Sequence, residues 1–280
     1  MNEKRAGSNG WFEGIDPGDE AAAVRAIQDG RAEAPAEWPS IAVESGFTAE
    51  EADYYDRLHE VTTAAARSEA TRREAADDQQ LKHTVRALDD TVRIQNELTE
   101  RVTEWANSHP EAPDGDGGME HVRAIVESET GGELGTLSRQ VLELETEAMR
   151  LRAAVERDCP SVAPNLAAMA GPVLAARLIA LAGGLESLAK KPSGTVQVLG
   201  AEEALFAHLR GHAPSPKHGI IATHEAIQGT PRQHRGSAAR ALAGKLTIAA
   251  RVDHYSGERK PELDEQLRER IETIRERDSA

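Results

Sequence analysis

The chain has 280 residues, with 48 acidic against 33 basic side chains and a formal net charge of −15. Aromatic residues make up 3% of it and Cys159 is its single cysteine. An intrachain disulfide framework and a cysteine-based zinc cluster are therefore excluded. A core drawn from Ala, Leu, Val and Ile points to packed helices rather than a sheet sandwich.

Most of the basic residues are arginine. An acidic, lysine-poor, alanine-rich and aromatic-poor chain fits a halophilic proteome, in which solvated carboxylates keep proteins soluble at high internal salt. The uncharged run 162–176 contains Pro164, Gly171 and Pro172 and is too short to span a bilayer. No apolar stretch follows the first five residues, as a secretory signal requires. The expectation is a soluble cytoplasmic protein with no membrane partner.

In chain order, residues 1–46 are punctuated by glycine and proline, with Trp11, Phe12, Ile15, Val24, Ile27, Trp38, Ile41 and Val43 as their sizeable apolar residues. They read as a small cap or docking segment, too short for a core of its own. From 47 to 109 there is neither Gly nor Pro, which predicts one long helix. Its apolar stripe runs Leu81, Val85, Leu88, Val92 and then shifts to Ile94, Leu98, Val102 and Trp105, with Gln95 where the first seam would continue. Pro110, Pro113 and the Asp114–Gly118 run end that helix in a loop. A second helix carries the heptad seam Leu134, Leu137, Val141, Leu144, Ala148, Leu151, Val155. The two predict a long antiparallel coiled-coil arm over 47–158 that associates with another copy.

Residues 159–257 change character. Helices are predicted near Asn165–Leu188, Leu199–Leu209 and Ser237–Tyr255, with Thr195–Val198 extended and Ser237 capping the last. A charged helix closes the chain over 258–280, with Leu263, Leu267, Ile271 and Ile274 on one stripe and Pro261 in its first turn. The fold class expected is all-α.

No catalytic signature is present: there is no nucleophile elbow, P-loop or dinucleotide fingerprint. His208 and His212 have metal-ligand spacing on a helix but no third ligand at a matching offset. Cys159 reads as a buried small hydrophobe. No catalytic residue, metal or cofactor is expected.

Window 161–257 is where positive charge gathers. It holds ten basic residues against five acidic ones, and six of the ten histidines. Such an island points to a polyanionic partner, or to a domain that merely lacks surface acids. Within it, Lys217-His218-Gly219 forms a turn, and Thr230–Ser237 leads into an Ala-rich helix on which Arg240 and Arg251 share a face. Phosphate or RNA binding is one reading of this segment. The other is a packed helix whose arginines pair with the acidic arm.

The stretch 171–257 contains Ala175-Ala176-Arg177-Leu178-Ile179-Ala180-Leu181-Ala182-Gly183-Gly184-Leu185, Ala189-Lys190-Lys191-Pro192, Gln197-Val198-Leu199-Gly200-Ala201-Glu202 and Arg240-Ala241-Leu242-Ala243-Gly244-Lys245. These motifs closely resemble the Nop domain, and within it the archaeal Nop proteins of box C/D small ribonucleoproteins. Val85–Asp90, Asn96-Glu97-Leu98 and Glu104-Trp105 are similar, more weakly, to the family's coiled-coil arm. The resemblance implies a non-catalytic scaffold, dimeric through the coiled coil. Such a scaffold binds kink-turn guide RNA jointly with a small ribosomal-protein-like kink-turn binder, and it positions fibrillarin for guided 2′-O-methylation. By position it makes Lys190, Lys217, His218, Arg232, Gln233 and Arg235 RNA-facing, and Arg240 continues that basic surface. Gly200, Ala201, Glu202, Leu205 and Phe206, on the Leu199–Leu209 helix, would face the kink-turn binder. Glu203 stands where the family usually has Lys, so a basic contact is lost there. Residues 1–46 are much shorter than the family's fibrillarin-binding domain. The competing reading is a non-RNA helical oligomerisation module in which arm and basic domain pair with each other.

Overall fold

A computed structural model describes residues 10–30 and 36–276. Residues 1–9, 31–35 and 277–280, which the expectations for the N-terminal segment and the closing helix took in, lie outside the described residues. The described residues are helices and loops without a strand. They form two compact units, divided between Ala76 and Asp77.

The first unit holds α1 (Glu20–Asp29), α2 (Trp38–Glu44) and α3 (Glu51–Glu74). Asp19 caps α1 by accepting from the Ala22 amide at 2.9 Å, and Glu50 and Asp53 form a capping box at α3. Phe12, Ala42, Phe47 and Tyr54 are buried together. Phe12 stacks on Phe47 at 5.4 Å, and Trp11 Nε1 donates to the Tyr54 hydroxyl at 3.2 Å. The N-terminal segment therefore does have a core, because α3 supplies part of it.

That corrects the single long helix expected over 47–109. The ladder stops where the Ala75 amide bonds Thr71 and the Ala76 amide bonds Arg73. A new helix, α4 (Asp77–Ala106), then starts with Asp77 and Asp78 in its first turn, where the helix dipole favours acids.

In the second unit α4, α5 (Gly118–Glu127) and α6 (Gly132–Val162) build the arm. Leu81, Val85 and Leu88 share one core with Val155 and Cys159, and Val102 and Ala106 share another with Leu134 and Val141. That pairing makes α4 and α6 antiparallel, each about 45 Å long at 1.5 Å per residue. Along α6, Leu134, Val141, Ala148 and Val155 are buried while Leu137, Leu144 and Leu151 are half-buried. The α4 seam does not shift as expected. Gln95 and Thr99 are buried in it between Val92 and Val102, whereas Ile94 and Trp105 are 40% and 39% exposed. The polar pair is tolerated because it is satisfied: Gln95 Nε2 donates to Met119 Sδ at 3.2 Å and Thr99 Oγ1 to the Gln95 carbonyl at 2.7 Å. Met119 comes from α5, a third helix the sequence reading did not anticipate.

Beyond the arm come α7 (Pro164–Ala170), α8 (Pro172–Ala182), α9 (Leu185–Lys190), α10 (Ser193–Val198) and α11 (Glu202–Leu209). After a 3-10 turn at Ile220–Thr223 follow α12 (Glu225–Gln228), α13 (Arg235–Tyr255) and α14 (Glu262–Arg275). The expected Asn165–Leu188 helix is three helices, interrupted at Gly171 and at Gly183-Gly184, whose φ values of 77°, 92° and 136° suit glycine. Thr195–Val198 is helical rather than extended, since burying Val196 overrides its β-branched preference. The cap expected at Ser237 is absent because α13 begins two residues earlier. Leu263, Leu267, Ile271 and Ile274, expected on one stripe of α14, are all buried.

Helix α13 lies at the centre of this unit. Its Ala238, Ala239, Leu242, Ala243, Leu246, Ala249 and Ala250 are buried, and the small side chains let α7, α9, α10 and α14 pack closely against it. The root of the arm is fastened to α8 and α9. Arg177 donates to Asp89 through Nε at 3.0 Å and through its terminal nitrogen at 2.5 Å. Arg86 donates to the Ala180 carbonyl at 3.0 Å, and Asp78 accepts from the Leu185 amide at 2.9 Å. Cys159 is fully buried; desolvation, then the charge of Asp253, push its thiol up to about 12. Among the described residues no single helix is long and apolar enough to cross a membrane.

Candidate nucleic-acid interface

The turn before the 3-10 segment is tied to the α10–α11 junction. Gln197 Nε2 donates to the Lys217 carbonyl at 2.7 Å. The Gly219 and Ile220 amides donate to the Gln197 and Leu199 carbonyls, each at 2.8 Å. A Cβ on Gly219 would lie 2.0 Å from the Leu199 oxygen, so only glycine lets the turn close. Lys217 is held exposed on this turn, with His218 half-buried beside it.

The loop ahead of α13 is clamped from two sides. Arg235 donates to the carbonyls of Thr230 (3.2 Å) and Gln228 (3.3 Å). Arg275 of α14 donates to the Thr230 hydroxyl (3.2 Å) and the Glu225 carbonyl (3.1 Å). The Thr230 hydroxyl in turn donates to the Ala226 carbonyl at 2.8 Å. At the head of α12, His224 Nδ1 accepts from the Ala226 amide (3.1 Å), leaving Nε2 to donate to the Met169 carbonyl (2.9 Å). Two guanidiniums and one imidazole thus fix the segment that carries Arg232 and Gln233 into solvent.

Arg235, expected to face RNA, is half-buried with its donors on backbone carbonyls; it holds the loop. Arg232 and Gln233 are exposed just ahead of α13, and Arg240 is exposed in its second turn. Lys190 does not join them. It ends α9, forms an ion pair with Glu186 at 2.5 Å, and lies beside Arg251, whose Nε donates to the Ala189 carbonyl at 3.1 Å. Along α13 that is sixteen residues, about 24 Å, from Arg235. Arg177 pairs with the arm carboxylate Asp89, as the competing reading expects. The side chains of Lys217, Arg232 and Arg240 pair with no carboxylate among the described residues.

Gly200, with φ +83°, sits against Ile220 and Leu181, where a Cβ would come within 3.3 Å of each. Its amide donates to Glu202 at 2.9 Å, and Ala201 precedes the first turn of α11. No residue of α11 is buried. Leu205 is half-buried, Phe206 is 57% exposed and Leu209 70%. An eight-residue helix that buries nothing presents an apolar surface for another molecule to cover. Arg275 and His224 escaped the sequence reading, since bonding to carbonyls across helices leaves no motif. The small residues around them, Gly229 and Thr230, were the available signal.

Comparison with known proteins bears on this surface. A family model described as "Nop: snoRNA binding domain, fibrillarin" matches residues 119–276. An uncharacterized NOP5 family protein of Methanocaldococcus jannaschii is 59% identical over 113 residues, which is 40% of this chain and 27% of that protein. Nucleolar protein 56 of Mus musculus is 39% identical over 137 residues, 49% of this chain and 24% of the mouse protein. The matched stretch thus spans about a quarter of the length of these relatives. Among solved structures, the crystal structure of a fibrillarin/Nop5p complex contains a chain that aligns with a TM-score of 0.54 at 25% identity, over 96% of this chain and 99% of that one. With the family model covering more than half of its residues, and a clamped basic surface lying within that match, this chain belongs to the Nop, snoRNA-binding-domain, family.

Proposed function

We propose that the chain is a non-catalytic scaffold of a box C/D guide ribonucleoprotein. In this reading residues 159–257 bind kink-turn RNA together with a ribosomal-protein-like kink-turn binder. Lys217, His218, Arg232, Gln233 and Arg240 face the RNA, and the surface from Gly200 to Phe206 faces the protein. The observation that carries it is that Lys217, Arg232 and Arg240, on rigidly held backbone in a chain of net charge −15, pair with no carboxylate among the described residues. Cations left unpaired among so many carboxylates leave room for phosphates. The family match and the relation to a chain solved with fibrillarin support the same reading.

The arm supplies dimerisation in this proposal. Ile94 and Trp105, eleven residues and three turns apart on α4, form an exposed apolar stripe outside the α4–α6 seam. Trp105→Glu is expected to turn a dimer into a monomer in sedimentation equilibrium; an unchanged mass removes this surface from the interface. Fibrillarin is the third partner, positioned for RNA 2′-O-methylation.

Reconstitution tests the whole. The chain, a kink-turn guide RNA, the kink-turn binder and fibrillarin are combined, omitting each in turn, and methyl transfer and complex mass are measured. The expected result is tight RNA binding only when the kink-turn binder is present, and methylation only with all four. Equal affinity for RNA lacking a kink-turn overturns the reading. A dimer with negligible RNA affinity in every combination favours the oligomerisation module instead.

A further inference from the structure

We infer that the RNA surface continues along the exposed face of α13 to Tyr255, where it receives an unpaired strand; this rests on the RNA reading above. Arg240, Gly244, Ile248, Arg251 and Tyr255 recur at steps of four, four, three and four, so they form one stripe about 22 Å long. Ile248 is 41% and Tyr255 71% exposed, unusual for large apolar side chains on a helix whose other faces are buried. The only acid of α13, Asp253, is buried and bonded to Asn165, so the helix puts no carboxylate of its own on this stripe. Arg251, anchored on the Ala189 carbonyl, sits beside the α9 end that bears Lys190 and Lys191.

Cations alternating with an exposed aromatic and an aliphatic side chain suit a single strand, whose phosphates need the charges and whose bases stack on the ring. A duplex backbone has no use for Tyr255 or Ile248, since its bases are already stacked. A protein partner for so apolar a stripe would need carboxylates spaced against Arg240 and Arg251. The continuity of the stripe with Arg232 and Arg240 favours RNA.

The test uses the full chain with the kink-turn binder and two fluorescent kink-turn hairpins. One has flush ends; the other carries about six unpaired nucleotides, at each end in turn, matching the reach of the stripe. The extension is expected to tighten binding about fivefold or more, and Tyr255→Ala and Arg251→Gln to abolish that gain while flush-ended RNA binds as before. Tyr255→Phe should keep the gain, because the ring is retained. A 4-thiouridine in the extension should cross-link at Tyr255. If flush RNA binds but the extension adds nothing, or its gain survives Tyr255→Ala, the inference is overturned and the parent reading stands. If neither RNA binds, the parent reading falls and takes this one with it. Variants that leave both RNA affinities intact yet release fibrillarin or the kink-turn binder assign the stripe to a protein and overturn it too.

Discussion

Asp253, near the end of α13, caps the start of α7 through Asn165. Its Oδ1 accepts from the Asn165 amide at 2.9 Å and from Asn165 Nδ2 at 2.6 Å, and its Oδ2 accepts from the Leu166 amide at 2.9 Å. Asn165 Nδ2 also donates to the Glu258 carbonyl at 2.7 Å, and its Oδ1 accepts from the Lys260 amide at 2.7 Å. Two side chains thereby join the arm exit, the central helix and the link to α14. Both are buried.

Asp253→Ala should therefore cost about 3–5 kcal/mol, since three buried donors lose a charged acceptor at once. Asn165→Ala should cost less than Asp253→Ala. The double variant should cost clearly less than the two losses added, because the two residues serve one network. Urea unfolding followed by circular dichroism measures all three; strictly additive losses would show that the network is not a unit.

Arg232 and Arg275 are predicted to weaken RNA binding in distinguishable ways. Arg232→Ala should reduce the slope of log affinity against log salt by about 0.9, as the loss of one phosphate contact does. Arg275→Ala should lower affinity by about tenfold with the slope unchanged, because Arg275 acts by holding the 229–234 loop. Arg275→Lys, which keeps the charge but not the fork, should not restore it. Anisotropy titrations over a salt series separate the two cases. A reduced slope for Arg275→Ala would make it a direct contact.

At Gln95 the two descriptions of the arm seam part company. Were the seam to move to Ile94 and Trp105, Gln95 would be solvated and Gln95→Leu neutral. With Gln95 in the seam, Gln95→Leu should stabilise the arm by about 1 kcal/mol, because a polar seam residue fixes register at some cost in stability. Thermal melts of the full chain decide the point.

Cys159 gives a pH dependence of definite sign. Its folded value, about 12, lies above the ordinary 9.0. The stabilisation is therefore complete below pH 9 and declines above it, where the unfolded chain ionises the thiol and the folded one does not. Over that window the wild type should lose about 1.4 kcal/mol per pH unit more than Cys159→Ala. Parallel stability curves for the two proteins from pH 8 to pH 11 would contradict the burial argument.

Much of this was legible in the sequence where a period ran unbroken. The α6 seam from Leu134 to Val155 and the α14 stripe from Leu263 to Ile274 both lie as their spacing implied. What escaped reading was decided between elements. Ala75 and Ala76 are good helix formers, and the ladder breaks there with only Asp77 and Asp78 to mark the new start. Gln95 looked like an interruption because its partner, the Met119 sulfur, belongs to a helix too short to announce itself. Val196 and Val198 carry strand preference into a helix for the sake of a buried methyl. In the candidate site the cations were visible, but not their allocation. Arg235 and Arg232 are indistinguishable by type, and only the nearby Thr230 and Gln228 carbonyls make one a brace and leave the other free.

Helix α11 has one more implication. With none of its eight residues in the interior, its amide protons lack the shelter that tertiary packing gives the rest of the unit. Part of the entropic toll of ordering it therefore falls on the encounter with whatever covers it. That toll makes the grip looser than its area suggests and punishes ill-fitting companions more than good ones. A subunit left alone would announce itself by rapid deuterium uptake at 202–209, a signal that fades once assembly is complete.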